Sequence, residues 1–301
     1  MNAFPNKPCG VNLPRATAEG FPARENSACA NGAEPPHEPA EFGAEAAAKT
    51  TPLAPETPRD PAWSGFDILR LVFLGIVALF IGVFTVLFIA HFWFYRRLPI
   101  GALARSPLVV VAGQALAYIL LLAYMYVLVT RERRRPDFLA AIHWNWPDYW
   151  SLYMLGGFTL SVVLGLLVNR LPIPKNLPID TFFRTSAEAW SISVFGITLA
   201  PLMEELFFRG FLYPVLARRI RVMPAVAITA FAFALLHGSQ LSFSWGPVLV
   251  IFLVGVVLTL VRAHRNSVAA SLLIHMAYNA TISLAMCVKT DGFRHLEKLN
   301  S

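Results

Sequence analysis

Seven apolar stretches, each long enough to cross a bilayer, decide what this chain can fold into. They lie at about 71–94, 107–130, 149–168, 190–217, 223–238, 244–263 and 267–288, and a membrane-crossing helix needs roughly 17–25 residues. Backbone groups in hydrocarbon must bond within the chain, which leaves only helices and closed barrels. None of these stretches alternates as a barrel strand does. The sequence therefore predicts an all-α, polytopic transmembrane bundle. An apolar fraction of 56% with only 14% charged residues agrees, because soluble domains average roughly 45–50% and 25%. A soluble globular protein, a coiled coil and a collagen-like rod are excluded.

Residues 1–62 differ in kind. Half of the 22 prolines fall within residues 1–61, mixed with Ala, Glu, Asn and Gly and without a sustained apolar run, so this stretch reads as a disordered tail. The rest divides into N-terminal transmembrane helices and loops at 63–186, a helix core at 187–288 and a short tail at 289–301. The fourth stretch is long and contains Pro201, which deprives the Ile197 carbonyl of its helical partner and predicts a kink or restart. The fifth is short and stops at His237–Gly238, where glycine allows a chain break or a close approach by substrate.

The net charge is +7, carried by short clusters between apolar stretches: Arg96–Arg97, Arg131 with Arg133–Arg135, Arg218–Arg219 with Arg221, and Arg262 with Arg265. Such flanking charges orient membrane helices, which argues against nucleic acid as a partner. Placing the N-terminus in the cytoplasm puts nine of these arginines inside, in the loops at 131–148, 218–222 and 262–266. Six basic residues then face the other side, so the orientation leans N-in.

The first three stretches hold almost nothing ionisable in their interiors, whereas Glu204, Glu205, Arg209, His237, His275 and Asn279 fall inside or at the edges of the last four. Each ionisable group near the bilayer centre costs roughly 2.5–3.5 kcal/mol on insertion scales, so such a set needs mutual partners or a hydrated cavity. In Glu204-Glu205-Leu206-Phe207-Phe208-Arg209, Glu205 and Arg209 stack at i,i+4 with the acid N-terminal, the favourable order. Glu204 points about 100° away and is left without a local counter-charge, which suits a general base. Phe233 and His237 share a second helix face, and His275 and Asn279 share a third. Together they offer a carboxylate, two imidazoles and an amide, the groups a hydrolase needs. Each motif alone also has a structural explanation: charge neutralisation, a helix-end histidine, and an interhelical hydrogen-bond pair.

Glu204-Glu205-xxx-Arg209, Phe233-xxx-His237 and His275-xxx-Asn279, in that order on successive membrane helices, resemble the CPBP intramembrane protease family. That family includes the CAAX prenyl endopeptidases and bacterial Abi-type proteins. The resemblance covers about residues 187–288. It implies that Glu204 and His237 activate a water, that His275 and Asn279 hold the oxyanion, and that Glu205, Arg209 and Phe233 support them. The substrate it implies is a membrane-embedded or lipid-anchored peptide or protein, cleaved within a bilayer such as the bacterial inner membrane. It also implies an eighth helix, which would fall in the 169–188 loop. Two mechanisms stay open. Glu204, His237 and His275 could be three zinc ligands with a water in fourth position, or they could act without metal. The HExxH helix of ordinary zinc proteases is absent, and the metal-free role is preferred. Two other classes compete with the peptidase: a proton-coupled transporter, disfavoured by the lack of an internal repeat, and a non-catalytic immunity or assembly protein.

Overall fold

The computed structural model describes residues 61–300 apart from 173, 175 and 176, so the predicted tail lies outside the described residues except for Pro61 and Ala62. The described chain is helical, with no strand among its residues. Seven helices are long and apolar enough to cross a membrane: α1 Gly65–Phe94, α2 Pro107–Glu132, α3 Trp150–Val168, α4 Ser186–Ile220, α5 Val222–Leu241, α6 Trp245–Arg265 and α7 Val268–Lys289. They make this an integral membrane protein. The 169–188 loop holds only a short tight turn at Pro178–Phe182 among its described residues before α4 begins, so the eighth helix implied by resemblance is not found there.

Six of the helices start within about four residues of the predicted positions. The exception is α1, which begins six residues early, at Gly65 rather than Leu71. Asp67 and Arg70 make this segment look unfit for a membrane helix, but both are partnered. The Asp67 carboxylate accepts the Ser64 N–H at 2.7 Å and caps the helix. It is fully buried and ion-paired with Arg133. Arg70 forms a two-pronged bond to Glu132 at 2.7 and 3.2 Å. These pairs clasp the start of α1 to the end of α2. Further along, α1 and α2 touch where both lack a side chain: a Cβ on Gly82 would overlap the Gly113 carbonyl, and one on Gly113 would meet the Val83 backbone at 2.8 Å. Close approach at small residues is how helices gain contact when lipid removes the hydrophobic drive between them.

Pro201 breaks α4 as expected. The first segment ends at Ile197, Thr198 takes a non-helical conformation (φ −114°, ψ −81°), and the helix restarts at Leu199. The restarted piece runs to Glu205 and is followed by a widened turn, Leu206–Leu212, before helical geometry resumes at Tyr213. Wide turns of this kind recur at functional positions, and this one carries Arg209.

Two apolar cores flank the polar region. One gathers Trp63, Leu71, Met125, Leu128, Met203, Leu206 and Phe211. The other gathers Leu164, Val250, Val254, Leu258, Ile274 and Tyr278. Met203 and Leu206 bracket Glu204–Glu205, and Ile274 precedes His275, so the polar side chains emerge from segments that also feed the two cores. α3 presses on α7 there, since a Cβ on Gly157 would overlap the Ile274 carbonyl.

One assignment needs correction. Arg262 lies inside α6 rather than in a loop. It is buried, donates to the Arg209 carbonyl at 3.2 Å and to Asn266 Oδ1 at 2.7 Å. It thus ties α6 to the widened turn of α4.

Candidate active site

The local spacing on α4 decides the first contact. Arg209 donates from Nη1 to Glu205 Oε1 at 2.8 Å, as the i,i+4 register predicts, and both side chains are fully buried. The rest of the guanidinium is satisfied by groups that no sequence motif marked. Nη2 donates to the Gly255 carbonyl at 3.0 Å, and Nε donates to Thr259 Oγ1 at 3.2 Å, both on α6. Its plane also lies 4.7 Å from the Phe233 ring centroid. A buried charge is tolerable only when paired and hydrogen-bonded, and each nitrogen of this guanidinium has an acceptor.

Glu205 does more than neutralise Arg209. Its Oε1 also accepts a hydrogen bond from His275 Nδ1 at 2.9 Å. Because the anion only accepts, the Nδ1 proton is held there and His275 Nε2 is turned outward. It faces Glu204 Oε2 at 3.7 Å. His237 is oriented by a different acceptor with the same result. Its Nδ1–H donates to the Phe233 carbonyl at 2.9 Å, and its Nε2 faces Glu204 Oε1 at 3.7 Å.

The Phe233 ring packs against His237 and His275, at 4.7 and 5.7 Å between centroids, and forms the wall beneath both imidazoles. Gly238 follows His237, but the space left by its missing Cβ is occupied by the Phe243 ring rather than left for substrate.

Glu204, on the neighbouring face of α4, therefore holds one oxygen toward each imidazole. No Lys or Arg forms an ion pair with it among the described residues. Separations of 3.7 Å are too long for direct hydrogen bonds, which run roughly 2.7–3.2 Å. They are short enough that one water at about 2.8 Å could touch both atoms of either pair.

Asn279, one turn beyond His275, donates from its amide to the Gly196 carbonyl at 2.7 Å. That carbonyl lies in the last turn before the break at Thr198, where helix carbonyls lose their internal partners. The Pro201 break thus creates the acceptor that anchors Asn279. One amide N–H remains uncommitted.

Histidines that hold a metal almost always donate the other ring N–H to a carbonyl or carboxylate, and both histidines here do so. No group of three His, Cys, Asp or Glu able to hold an ion occurs among the described residues. Were an ion bound, Glu204, His237 and His275 would be the groups to hold it, with Glu204 3.7 Å from each imidazole Nε2.

With this geometry in hand, comparison with known proteins gives one match. Residues 186–281 match the family model described as type II CAAX prenyl endopeptidase Rce1-like. The matched stretch starts with α4, ends inside α7 and contains all three motifs. It supports the CPBP/CAAX protease family and, more broadly, a protease or hydrolase. No curated protein and no solved structure matches the chain.

Proposed function

We propose that this protein is an intramembrane endopeptidase that hydrolyses a peptide bond of a membrane-associated protein or peptide. The observation that carries this reading is the placement of Glu204 between two imidazole Nε2 atoms, 3.7 Å from each, with both rings held by other acceptors. The prenylated CAAX tail named by the family model is the substrate class we propose, and the N-in orientation remains the preferred topology.

In the proposed reaction a water between Glu204 and His237 loses a proton to the Glu204 carboxylate as its oxygen attacks the scissile carbonyl carbon. The tetrahedral oxyanion is met by His275 Nε2 and by the uncommitted Asn279 N–H. Because its Nδ1–H is given to Glu205, His275 donates from Nε2 in the doubly protonated form, with the Glu205 carboxylate beside it. Collapse then breaks the C–N bond, and the amine leaves with the proton that Glu204 had taken. A positioned general base contributes typically 10²–10⁴-fold, and one oxyanion donor about 10²–10³-fold. The steps run through protein groups alone.

The test uses the purified full chain in liposomes with a prenylated CAAX peptide reporter. Wild type should cleave it, and Glu204→Ala should not, while remaining inserted and folded. Full cleavage by Glu204→Ala would overturn the proposal. Metal analysis of the same preparation should find no stoichiometric zinc, and chelators should leave the rate unchanged. Stoichiometric zinc whose removal stops cleavage would replace the metal-free steps.

A further inference from the structure

Between Pro107 and Val129, Gln114 is the one charged or carboxamide side chain. A polar group at this depth calls for a partner, and in membrane bundles the usual partner is another helix. Gln114 departs from that pattern. Its Nε2 donates to the hydroxyl of Tyr118 at 2.9 Å, one turn along the same helix, so the bond joins no two helices. Three capacities are left over: the Gln114 carbonyl oxygen, its second N–H, and the Tyr118 O–H proton. No hydrogen bond from another described residue meets them, and both side chains are only part-buried.

The pair also has a definite place. The Tyr118 ring stacks on Phe195 of α4, with centroids 5.8 Å apart and planes inclined by 11°. Phe195 precedes Gly196, whose carbonyl anchors Asn279. Tyr118 also packs against the apolar core that contains Met203 and Leu206, the residues on either side of Glu204–Glu205. Hence α2 brings unpaired donors and an acceptor to the part of α4 that runs from Phe195 to Leu206 and carries Glu204.

We propose that Gln114 and Tyr118 form a substrate subsite that hydrogen-bonds the backbone of the peptide being cut. A carboxamide offers an acceptor and a donor side by side, which matches the N–H and C=O of an extended peptide, and the phenol adds a donor for a second carbonyl. This rests on the peptidase reading and assigns part of the substrate grip to a helix outside the matched stretch.

The experiment uses the full chain in liposomes and a fluorescent prenylated CAAX peptide. In the cleavage arm, Tyr118→Phe and Gln114→Leu should each raise KM by roughly 3- to 10-fold, the worth of one neutral hydrogen bond, with kcat within about twofold. In the binding arm, Glu204→Ala is used as the inactive host and peptide affinity is read by anisotropy. Adding either substitution should weaken binding by the same factor. Tyr118→Phe keeps the ring on Phe195, so a thermal midpoint matching wild type separates lost recognition from lost folding. Unchanged KM and unchanged affinity in both variants would overturn the subsite, as would a fall in kcat alone. If wild type binds the peptide and cuts nothing, the hydrolase reading fails while the binding arm still decides the subsite. If the Glu204→Ala host does not bind the peptide at all, the subsite is overturned.

Discussion

Helices α1–α3 and helices α4–α7 draw on the same apolar residues and put them to different uses. In the apolar window of α1 only 11% of residues are buried within the protein, against 44% in α6. Phe66, Phe73, Phe84 and Trp93 of α1 all project outward, toward what in a bilayer is lipid. The charges of α1 and α2 gather at one end, where Asp67, Arg70, Glu132 and Arg133 pair. In α4–α7 one set of ionisable groups lies inward: Glu205, Arg209, Arg262 and His275 are all buried. Lipid tails are as apolar as leucine, so apolar faces alone do not bind one membrane helix to another. The first group is held by glycine contacts and end clasps. The second is held by buried polar bonds, and a cluster of that kind is what chemistry requires.

This division can be broken most directly through the carboxylates. Glu204→Gln should lower kcat by about 10²–10⁴-fold with no change in the detergent thermal midpoint. Asp67→Asn, the equivalent change at the α1–α2 clasp, should leave kcat per folded molecule within about twofold. If the Asp67 variant folds yet loses cleavage, chemistry is not confined to α4–α7. The next effect is on stability. Arg209→Met strands Glu205 without its charge partner and should cost about 3–5 kcal/mol, whereas Arg70→Met removes a solvent-screened surface pair and should cost far less. Unfolding in mixed detergent micelles compares the two, and equal losses would erase the contrast.

Glycine contacts sharpen it further. Gly157→Val forces α3 away from the backbone that carries His275 and should cost about 1–3 kcal/mol together with a clear fall in kcat. Gly82→Val at the α1–α2 crossing should cost a similar amount and spare kcat in the molecules that fold. The smallest effect is expected at Phe73, which is 65% exposed. Phe73→Ala should shift stability by no more than about 0.5 kcal/mol, and a larger loss in the same unfolding assay would mean that this face is packed against protein.

Much of the site was legible because its first contacts are local. Glu205 reaches Arg209 across four residues of one helix, and Pro201 breaks α4 within three residues of its own position, since both effects follow from helix geometry. The partners of Arg209 on α6 were not legible. Gly255 and Thr259 are an ordinary glycine and threonine in an apolar helix, and nothing in their spacing announces a guanidinium. The opposite error occurred at Arg262, where a basic residue near a helix end looked like a topological charge. Its burial depends on α6 passing beside the widened turn of α4. The early start of α1 was hidden for the same reason, because the partner that allows Asp67 inside lies 66 residues away.

From the amino-acid order alone come the seven helices, the all-α class and three polar motifs with their internal registers, because hydropathy and a period of 3.6 residues act over one or two turns. Only the tertiary arrangement could decide that Glu205 serves His275 as well as Arg209, that Glu204 sits between two imidazoles, and that the Tyr118 ring stacks on Phe195 of α4. Those outcomes depend on how each helix is rotated and tilted against its neighbours, and that is set by contacts between residues far apart in the chain.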